Sequence, residues 1–477
     1  MRGNDSRWAR WGQWWTKQVN RPGVHAWIVV ARIVVPILLA ALVAWVPAYE
    51  GLDAGGRASL FLLVLAGGLW ISEGIPAFAV SLLVIGYAIL VLGKPGGVLE
   101  AGPSDWERYI GTWGSPLIWL FLGGFVLAAG AERTGLTQWL SIHVLQNVGQ
   151  RPWWLLAACM GITFVFSMFI SNTAAATMMV AITLPIVDRL AGGDPLRSAL
   201  LLGIAFAANI GGMGTVIGSP PNAIAAGALK DVGGIDFARW MLAGLPPAVL
   251  LLVIVWGYLL LRYPAWVERV DFERLAKLPK EDREPLWRRI VVMVTFTATV
   301  LLWLTSTWHQ IPAAVVSFVP ICVLTATRVL SHHDIRALPW DVLLLIAGGL
   351  TLGIAVTDSG LAEWLVLQLK LDKMGIVTTA IVLSFIALLL SNLMSNTAAA
   401  NILVPIGMMA GVGYEAVTVV PIALSASSAM ALPISTPPNA IVYSTEEIRP
   451  GQLVEGGLLV GILAPILTTY WVSLVLG

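Results

Sequence analysis

The sequence predicts an all-α polytopic membrane protein made of two inverted repeats, each holding a re-entrant hairpin and an interrupted helix. Three observations carry that prediction. The chain has 477 residues, of which 58% are hydrophobic and 12% charged, whereas soluble globular chains carry about 25% charged residues. Its charges sit in short intervals between long apolar runs, the pattern of helices that cross a bilayer. One polar phrase is also written twice in apolar surroundings, as SMFISNTAAAT at 167–177 and SNLMSNTAAAN at 391–401. The net charge of +1 gives no basic surface for nucleic acid.

Residues 1–26 read as a cytoplasmic amphipathic arm. Arg2, Arg7, Arg10, Lys17 and Arg21 stand against Asp5 alone, and Trp8, Trp11 and Trp15 recur at helical spacing. Such an arm rests on membrane lipid, carries no cleavable signal, and places the N-terminus in the cytoplasm, in a multi-pass protein of the cytoplasmic (inner) membrane. Spans follow near 27–46, 58–76, 77–93 and 115–130, then an apolar block at 152–187, then 198–229, 241–261, 290–308, 312–330 and 341–357. A second block covers 374–414, and 416–445 and 452–476 complete the series. Residues 94–114 are net acidic, as suits an outside loop. Residues 262–289 hold eight Lys/Arg and six Asp/Glu. They read as a cytoplasmic linker between 27–261 (first span plus repeat 1) and 290–477 (repeat 2), with scaffold and transport parts interleaved across both.

The two blocks cannot be single helices. Residues 152–187 hold no charge over 36 positions and 374–414 none over 41. A helix of that length would run ~54–60 Å against a hydrocarbon core of ~30 Å. Each must turn back at its most polar point, Ser-Asn-Thr at 171–173 and 395–397. The turn makes either two full spans or a re-entrant hairpin (152–190 and 374–414) whose tip stops inside the protein.

The duplication is wider than the tripeptide. LIWLFLGGFVLAAGAERTGLTQWL (117–140) aligns without gaps to VLLLIAGGLTLGIAVTDSGLAEWL (342–365), an offset of 342 − 117 = 225. The Ser-Asn-Thr copies are offset by 395 − 171 = 224, and GSPPNAIAAG (218–227) answers STPPNAIVYS (435–444) at 435 − 218 = 217. Features recurring in one order are an internal repeat. If each unit crosses the membrane an odd number of times, the second copy is inverted, and interrupted helices at matching positions (198–229 and 416–445) point to a substrate site near the midplane.

The breaks suit ion chemistry without charged side chains. Pro220-Pro221 and Pro437-Pro438 unwind their helices, helped in the first copy by Gly211, Gly212, Gly214 and Gly218. Unwinding frees carbonyls for a hard cation and exposes helix N-termini that favour an anion. Between 152 and 229 the charged residues are Asp188, Arg189, Asp194 and Arg197, and between 374 and 445 there is only Glu415. An anion at these breaks relies on hydroxyls, amides, helix ends and a neighbouring cation, which makes its binding depend on the cation. A lone Ser-Asn-Thr or Pro-Pro is ordinarily interhelical glue or a kink; two copies of both in matched order read as a site. Elsewhere, Cys159 and Cys322 read as buried free thiols, His332-His333 as a solvated loop pair, and Glu73 as a cap on an interrupted helix rather than a proton relay.

At WISEGIP (70–76), FLGGFVLA (121–128), both Ser-Asn-Thr motifs and both Pro-Pro-Asn loops, the chain resembles the divalent anion:sodium symporter family over nearly its whole length. The resemblance implies about eleven spans plus two hairpins, the hairpin-tip reading of 171–173 and 395–397, a dimerising scaffold domain, and a transport domain that moves as an elevator. It implies a first Na⁺ site from Ser167, Ser171, Asn172 and the Gly218 carbonyl, and a second from Ser391, the Met394 carbonyl, Asn396 and Ser435. Substrate carboxylates would meet Asn172, Thr173 and Ser219 on one side and Asn396, Thr397 and Thr436 on the other, with Pro220 and Pro437 lining the pocket. Relatives often carry Thr where this chain has Ser391 and Ala where it has Ser435, so the serines here keep an oxygen at the first position and add one at the second.

The expected protein is therefore a homodimeric Na⁺-coupled symporter of C4-dicarboxylates (succinate, fumarate, malate), with no organic cofactor and no enzymatic activity. The alternatives are a Na⁺-independent dicarboxylate exchanger, for which no basic residue stands in the cation positions, and a Na⁺-coupled sulfate or citrate transporter of the same fold. A Na⁺/H⁺ antiporter would need a carboxylate at the membrane centre, and the two site regions have none.

Overall fold

A computed structural model of the chain describes residues 22–99, 102, 104–270 and 285–477. The first 21 residues of the expected arm, its three tryptophans included, lie outside the described residues, as does the middle of the charged linker. Among the described residues the chain is helical throughout. Seven helices are long and apolar enough to cross a membrane, and the shorter apolar helices include three of the four hairpin arms and both interrupted helices.

The chain opens with α1 (Pro22–Trp45), α2 (Ala54–Ser72) and α3 (Ala77–Tyr87, running on through a π-turn at Ala88–Gly93). Asp53 caps α2 by accepting from Gly56 N, and Glu73 ends it at φ 50° with its amide on Leu69 O. The expectation of a capping role at Glu73 holds for its backbone; its side chain is exposed. Next come α4 (Pro116–Arg133) and α5 (Leu136–Asn147). The first hairpin is α6 (Pro152–Ser167) and α7 (Asn172–Val187), followed by α8 (Pro195–Gly211), a break, α9 (Pro220–Ala228) and α10 (Phe237–Arg262).

The second half repeats this order. After α11 (Leu286–Leu304) and α12 (Phe318–Ala326) come α13 (Trp340–Asp358) and α14 (Leu361–Gln368). The second hairpin is α15 (Ile376–Leu393) and α16 (Asn396–Ala410); α17 (Glu415–Ser427), a break, α18 (Pro437–Tyr443) and α19 (Pro450–Leu476) complete the chain. The short helices α5 and α14, which follow the two long helices of the repeat, were not separable from their neighbours by apolar periodicity. Cys159 is buried, 3.8 Å from Thr183 Oγ1, but Cys322 is exposed, so the burial expected from its apolar segment is corrected. A thiol on an apolar helix faces outward at no cost when that helix face meets lipid.

The hairpin arms α6 and α7 have 16 residues each, ~24 Å of rise against a ~30 Å core. Both hairpins turn at the expected polar points. The halves exchange partners. The second arm of hairpin 1, α7, packs on α18 of the other half, while the second arm of hairpin 2, α16, packs on α9. Glycine pairs make the equivalent long helices close-packing. A Cβ at Gly123 would lie 2.5 Å from Ser317 Cβ, and one at Gly348 2.3 Å from Ser81 Cβ, so both positions need a bare backbone.

One packing relation is unequal. α13 packs on both α16 and α9, whereas α4, its counterpart, makes no comparable contact with α7 or α18 among the described residues.

Candidate functional site

The two hairpin tips and the two breaks meet at one place. Ser171 and Ser395 are extended residues that cap α7 and α16, each accepting from the amide three residues on (Ala174 N and Ala398 N, both 3.2 Å). Each caps one orphan donor of its helix and keeps a lone pair. Asn172 and Asn396 therefore open their helices in matched positions.

Behind each tip lies the same oxygen cluster. Ser167 Oγ is 2.6 Å from Asn172 Oδ1 and 2.6 Å from Ala208 O of α8. Ser391 Oγ is 2.6 Å from Asn396 Oδ1 and 2.8 Å from Ala426 O of α17. Both serines are fully buried. Each cluster sets a hydroxyl against two acceptors that bring no hydrogen of their own, and the single Ser hydrogen serves one at a time. With the amide oxygens turned to the serines, each cluster has one hydrogen for two acceptors and room for a cation to serve the other. Its third member, the carbonyl of Ala208 or Ala426, went unnoticed in the sequence because a backbone oxygen carries no residue signal.

The prolines do not lie in the unwound stretches, as the sequence suggested. They occupy the first two positions of α9 and α18, where a missing N–H is harmless and the fixed φ starts a helix. They also strip those helix ends of amide donors, so hydroxyls must donate there instead. The Asn of each Pro-Pro-Asn holds the break closed: Asn222 Nδ2 donates to Gly212 O (2.8 Å) and Thr215 O (2.7 Å), and Asn439 Nδ2 to Met430 O (2.8 Å) and Leu432 O (2.9 Å). Thr215 Oγ1 donates to Met168 O at the first tip. Among the described residues no donor takes the carbonyl of Gly218 or of Met394, so both expected carbonyl ligands are free. Gly212 lies against the Asn172 amide, where a Cβ would come within 2.8 Å of Oδ1.

Ser435 departs from the symmetric pattern. Where the first half has Gly218, its hydroxyl donates to Asn392 Oδ1 (2.9 Å) and accepts from Leu432 N (3.0 Å), and Asn392 Oδ1 also takes Ala431 N (2.9 Å). One lone pair of Ser435 remains for a ligand.

The residues expected to meet substrate sit at the rim. Ser219 and Thr436 are each 3% exposed and Thr397 6%, while Thr173 and Pro437 are exposed and Pro220 half-buried. The amide nitrogens of Asn172 and Asn396 donate to nothing among the described residues. Two residues outside the sequence reading join the halves: Asn209 of α8 reaches Thr436 and Asn439, and Ser427 of α17 reaches Ser219 and Asn222. A cavity of about 580 Å³ bounded by Arg108, Lys230, Asp358 and Glu415 lies at the far ends of α9 and α16, and no residue named for ion or substrate lines it.

Residues 25–427 match the family model described as citrate transporter. The chain belongs to the citrate transporter family. This transporter is 32% identical over 440 residues to the sodium-dependent dicarboxylate transporter SdcS of Staphylococcus saprophyticus, covering 83% of this chain and 81% of that protein. It is 32% identical over 457 residues to the protein of the same name from Staphylococcus aureus, covering 86% and 84%. The resemblance to the divalent anion:sodium symporters is thus borne out. The crystal structure of the Alcanivorax borkumensis YdaH transporter shares the fold at a TM-score of 0.50 and 15% identity, over 88% of this chain and 97% of that one. The transporter is a multi-pass membrane protein and not an enzyme.

Proposed function

We propose that the chain is a Na⁺-coupled symporter of C4-dicarboxylates such as succinate, fumarate and malate. The observation that carries this reading is the pair of buried oxygen clusters, Ser167–Asn172–Ala208 and Ser391–Asn396–Ala426, each holding more acceptors than hydrogens. One Na⁺ takes Ser167, Ser171, Asn172 and the Gly218 carbonyl. The other takes Ser391, the Met394 carbonyl, Asn396 and Ser435. The relatives named for sodium and dicarboxylate support the ion and the substrate class.

The substrate lies between the two ions. Its carboxylates accept from the free amides of Asn172 and Asn396 and from the hydroxyls of Thr173, Ser219, Thr397 and Thr436, with Pro220 and Pro437 as apolar walls. Among the described residues no Lys or Arg side chain is bonded to any of these residues. At an effective dielectric of 20, a cation about 4 Å from a carboxylate is worth about 4 kcal/mol, against ~1 kcal/mol for each neutral hydrogen bond. The ions therefore decide whether the dianion binds, and that dependence is the coupling.

Transport proceeds by an elevator in a homodimer: the hairpins, α8–α9 and α17–α18 move against a scaffold that includes α13. The present state faces inward. Hairpin 2 and α9 are pressed against α13, while Thr173 at the tip of hairpin 1 and the second break (Ile434, Pro437) are open, against a buried Thr397 at the tip of hairpin 2. On the positive-inside orientation that open side is the cytoplasm, with the N-terminus on it.

Radiolabelled succinate uptake into proteoliposomes under an inward Na⁺ or K⁺ gradient tests the proposal. Uptake with Na⁺ alone, competed by fumarate and not by sulfate, is expected. Equal uptake in K⁺ that requires internal dicarboxylate would make the protein an exchanger, and uptake of citrate without succinate would move the substrate to tricarboxylates.

A further inference from the structure

Asn209 stands at the end of α8, 0% exposed, and its role follows from counting hydrogens. Asn439 spends both amide hydrogens on Met430 O and Leu432 O, so its Oδ1 faces Asn209. Asn209 must present its nitrogen there, which settles the amide orientation on chemical grounds. That NH₂ lies 3.1 Å from Thr436 Oγ1, 3.3 Å from Asn439 Oδ1 and 3.0 Å from Ala205 O.

An amide NH₂ donates and never accepts. Its two hydrogens are shared among these three oxygens, so Thr436 Oγ1 can accept from Asn209 and cannot donate to it, and it also accepts from Asn439 N (3.4 Å). Its own hydrogen has no acceptor among the described residues. It is left for whatever occupies the site.

The arrangement has a visible cost. Asn209 Oδ1 is buried with no partner, a position worth roughly 1–3 kcal/mol of lost hydration. A side chain retained at that cost wants a reason beyond packing.

We infer that Asn209 is a positioning residue that locks the Thr436 hydroxyl as a donor toward a carboxylate of the substrate, so that one repeat aims the substrate contact of the other. The inference rests on the dicarboxylate reading above and deepens it. The opposite contact is looser. Ser427 has one hydrogen for Ser219 Oγ (3.0 Å) and Asn222 Oδ1 (3.3 Å), so the direction of the Ser219 hydrogen is not fixed by its partner. Substrate carboxylates thus meet one locked donor and one that can turn.

The test is a double-mutant cycle of Asn209→Ala with Thr436→Val in proteoliposomes, reading succinate KM, maximal rate and half-saturating Na⁺. In the parent protein Asn209→Ala should raise KM about five-fold, with Na⁺ half-saturation and maximal rate moving less than about two-fold. In the Thr436→Val background, with no hydroxyl to aim, it should leave KM unchanged. Asn209→Leu repeats the cycle at similar volume should the alanine variant fold poorly. Equal factors in both backgrounds, or a fall in maximal rate alone, would overturn the inference and leave the functional reading standing. A parent protein that takes up no dicarboxylate in Na⁺ would remove that reading, and the inference with it.

Discussion

The two halves of the site share a backbone and differ in how it is held. In the first, the break is compact: Gly212 lets the Asn172 amide approach, Gly218 adds no side chain, and Thr215 ties the loop to the hairpin tip through Met168 O. In the second, side chains do that work, as Asn392 reaches from α15 to Ala431 N and to Ser435. The hairpin bases also differ. Arg197 donates to Val187 O, Leu190 O and both oxygens of Glu447 at the base of hairpin 1, whereas Glu415 caps Gly413 N beside hairpin 2. The difference teaches that the repeat preserves the oxygen cluster and the helix starts, and leaves the fastening to each half.

The strongest way to break that comparison is to remove the shared part. Asn172→Ala and Asn396→Ala should each lower Na⁺-driven succinate uptake by at least ~100-fold, since each removes an amide oxygen from the ion and an amide donor from the substrate, contacts to charged groups worth about 1.5–3 kcal/mol each, with the thermal midpoint little changed. Full transport by either variant would mean that the halves are not equivalent in function.

The second test concerns the paired glycines. A Cβ at Gly349 would lie 1.8 Å from Asn401 Oδ1, while one at Gly124 would meet the flexible end of Ile217 at 3.1 Å. Gly349→Ala should destabilise by about 1–3 kcal/mol and Gly124→Ala by less than about 1 kcal/mol, read as thermal midpoints in detergent. Equal shifts would erase the packing difference between α13 and α4.

Converting the second half toward the first sharpens the comparison. Asn392→Met with Ser435→Gly installs the residues of Met168 and Gly218. Half-saturating Na⁺ should rise about five-fold, the effect of one lost oxygen contact, with succinate KM moving less; the ion dependence of uptake measures both.

The smallest effect is at the hairpin base. Hydrogen bonds from Arg197 hold the Glu447 carboxyl below its ordinary range. A depressed carboxylate contributes stability above its unfolded value of about 4.3 and loses it as pH falls through the lower folded value. Glu447→Gln should therefore cost at most ~1 kcal/mol at pH 7, and its gap from the parent should close below about pH 4, followed by thermal midpoints across pH. A gap that persists at low pH would show that the clamp is not ionic.

Much of this was legible in the sequence because it is local. Blocks too long for one span must turn, and Ser171 and Ser395 mark where, since Ser at a helix start caps an amide within its own turn. The Pro-Pro pairs were read as unwinding their helices, whereas they begin the helix that follows each break. Which cysteine faces outward was not legible, because burial of a residue on an apolar helix depends on what packs there.

By itself, then, the sequence determined the fold class and the two breaks in each repeat, both consequences of apolar length and short-range hydrogen bonding, while the serines and asparagines of the oxygen clusters followed from the family resemblance. Only the tertiary structure decided how the halves exchange partners. Asn209 meets Thr436 across 227 positions of chain and Ser427 meets Ser219 across 208. No local propensity encodes such pairs, because the geometry that joins them exists only after both hairpins have packed against the opposite repeat.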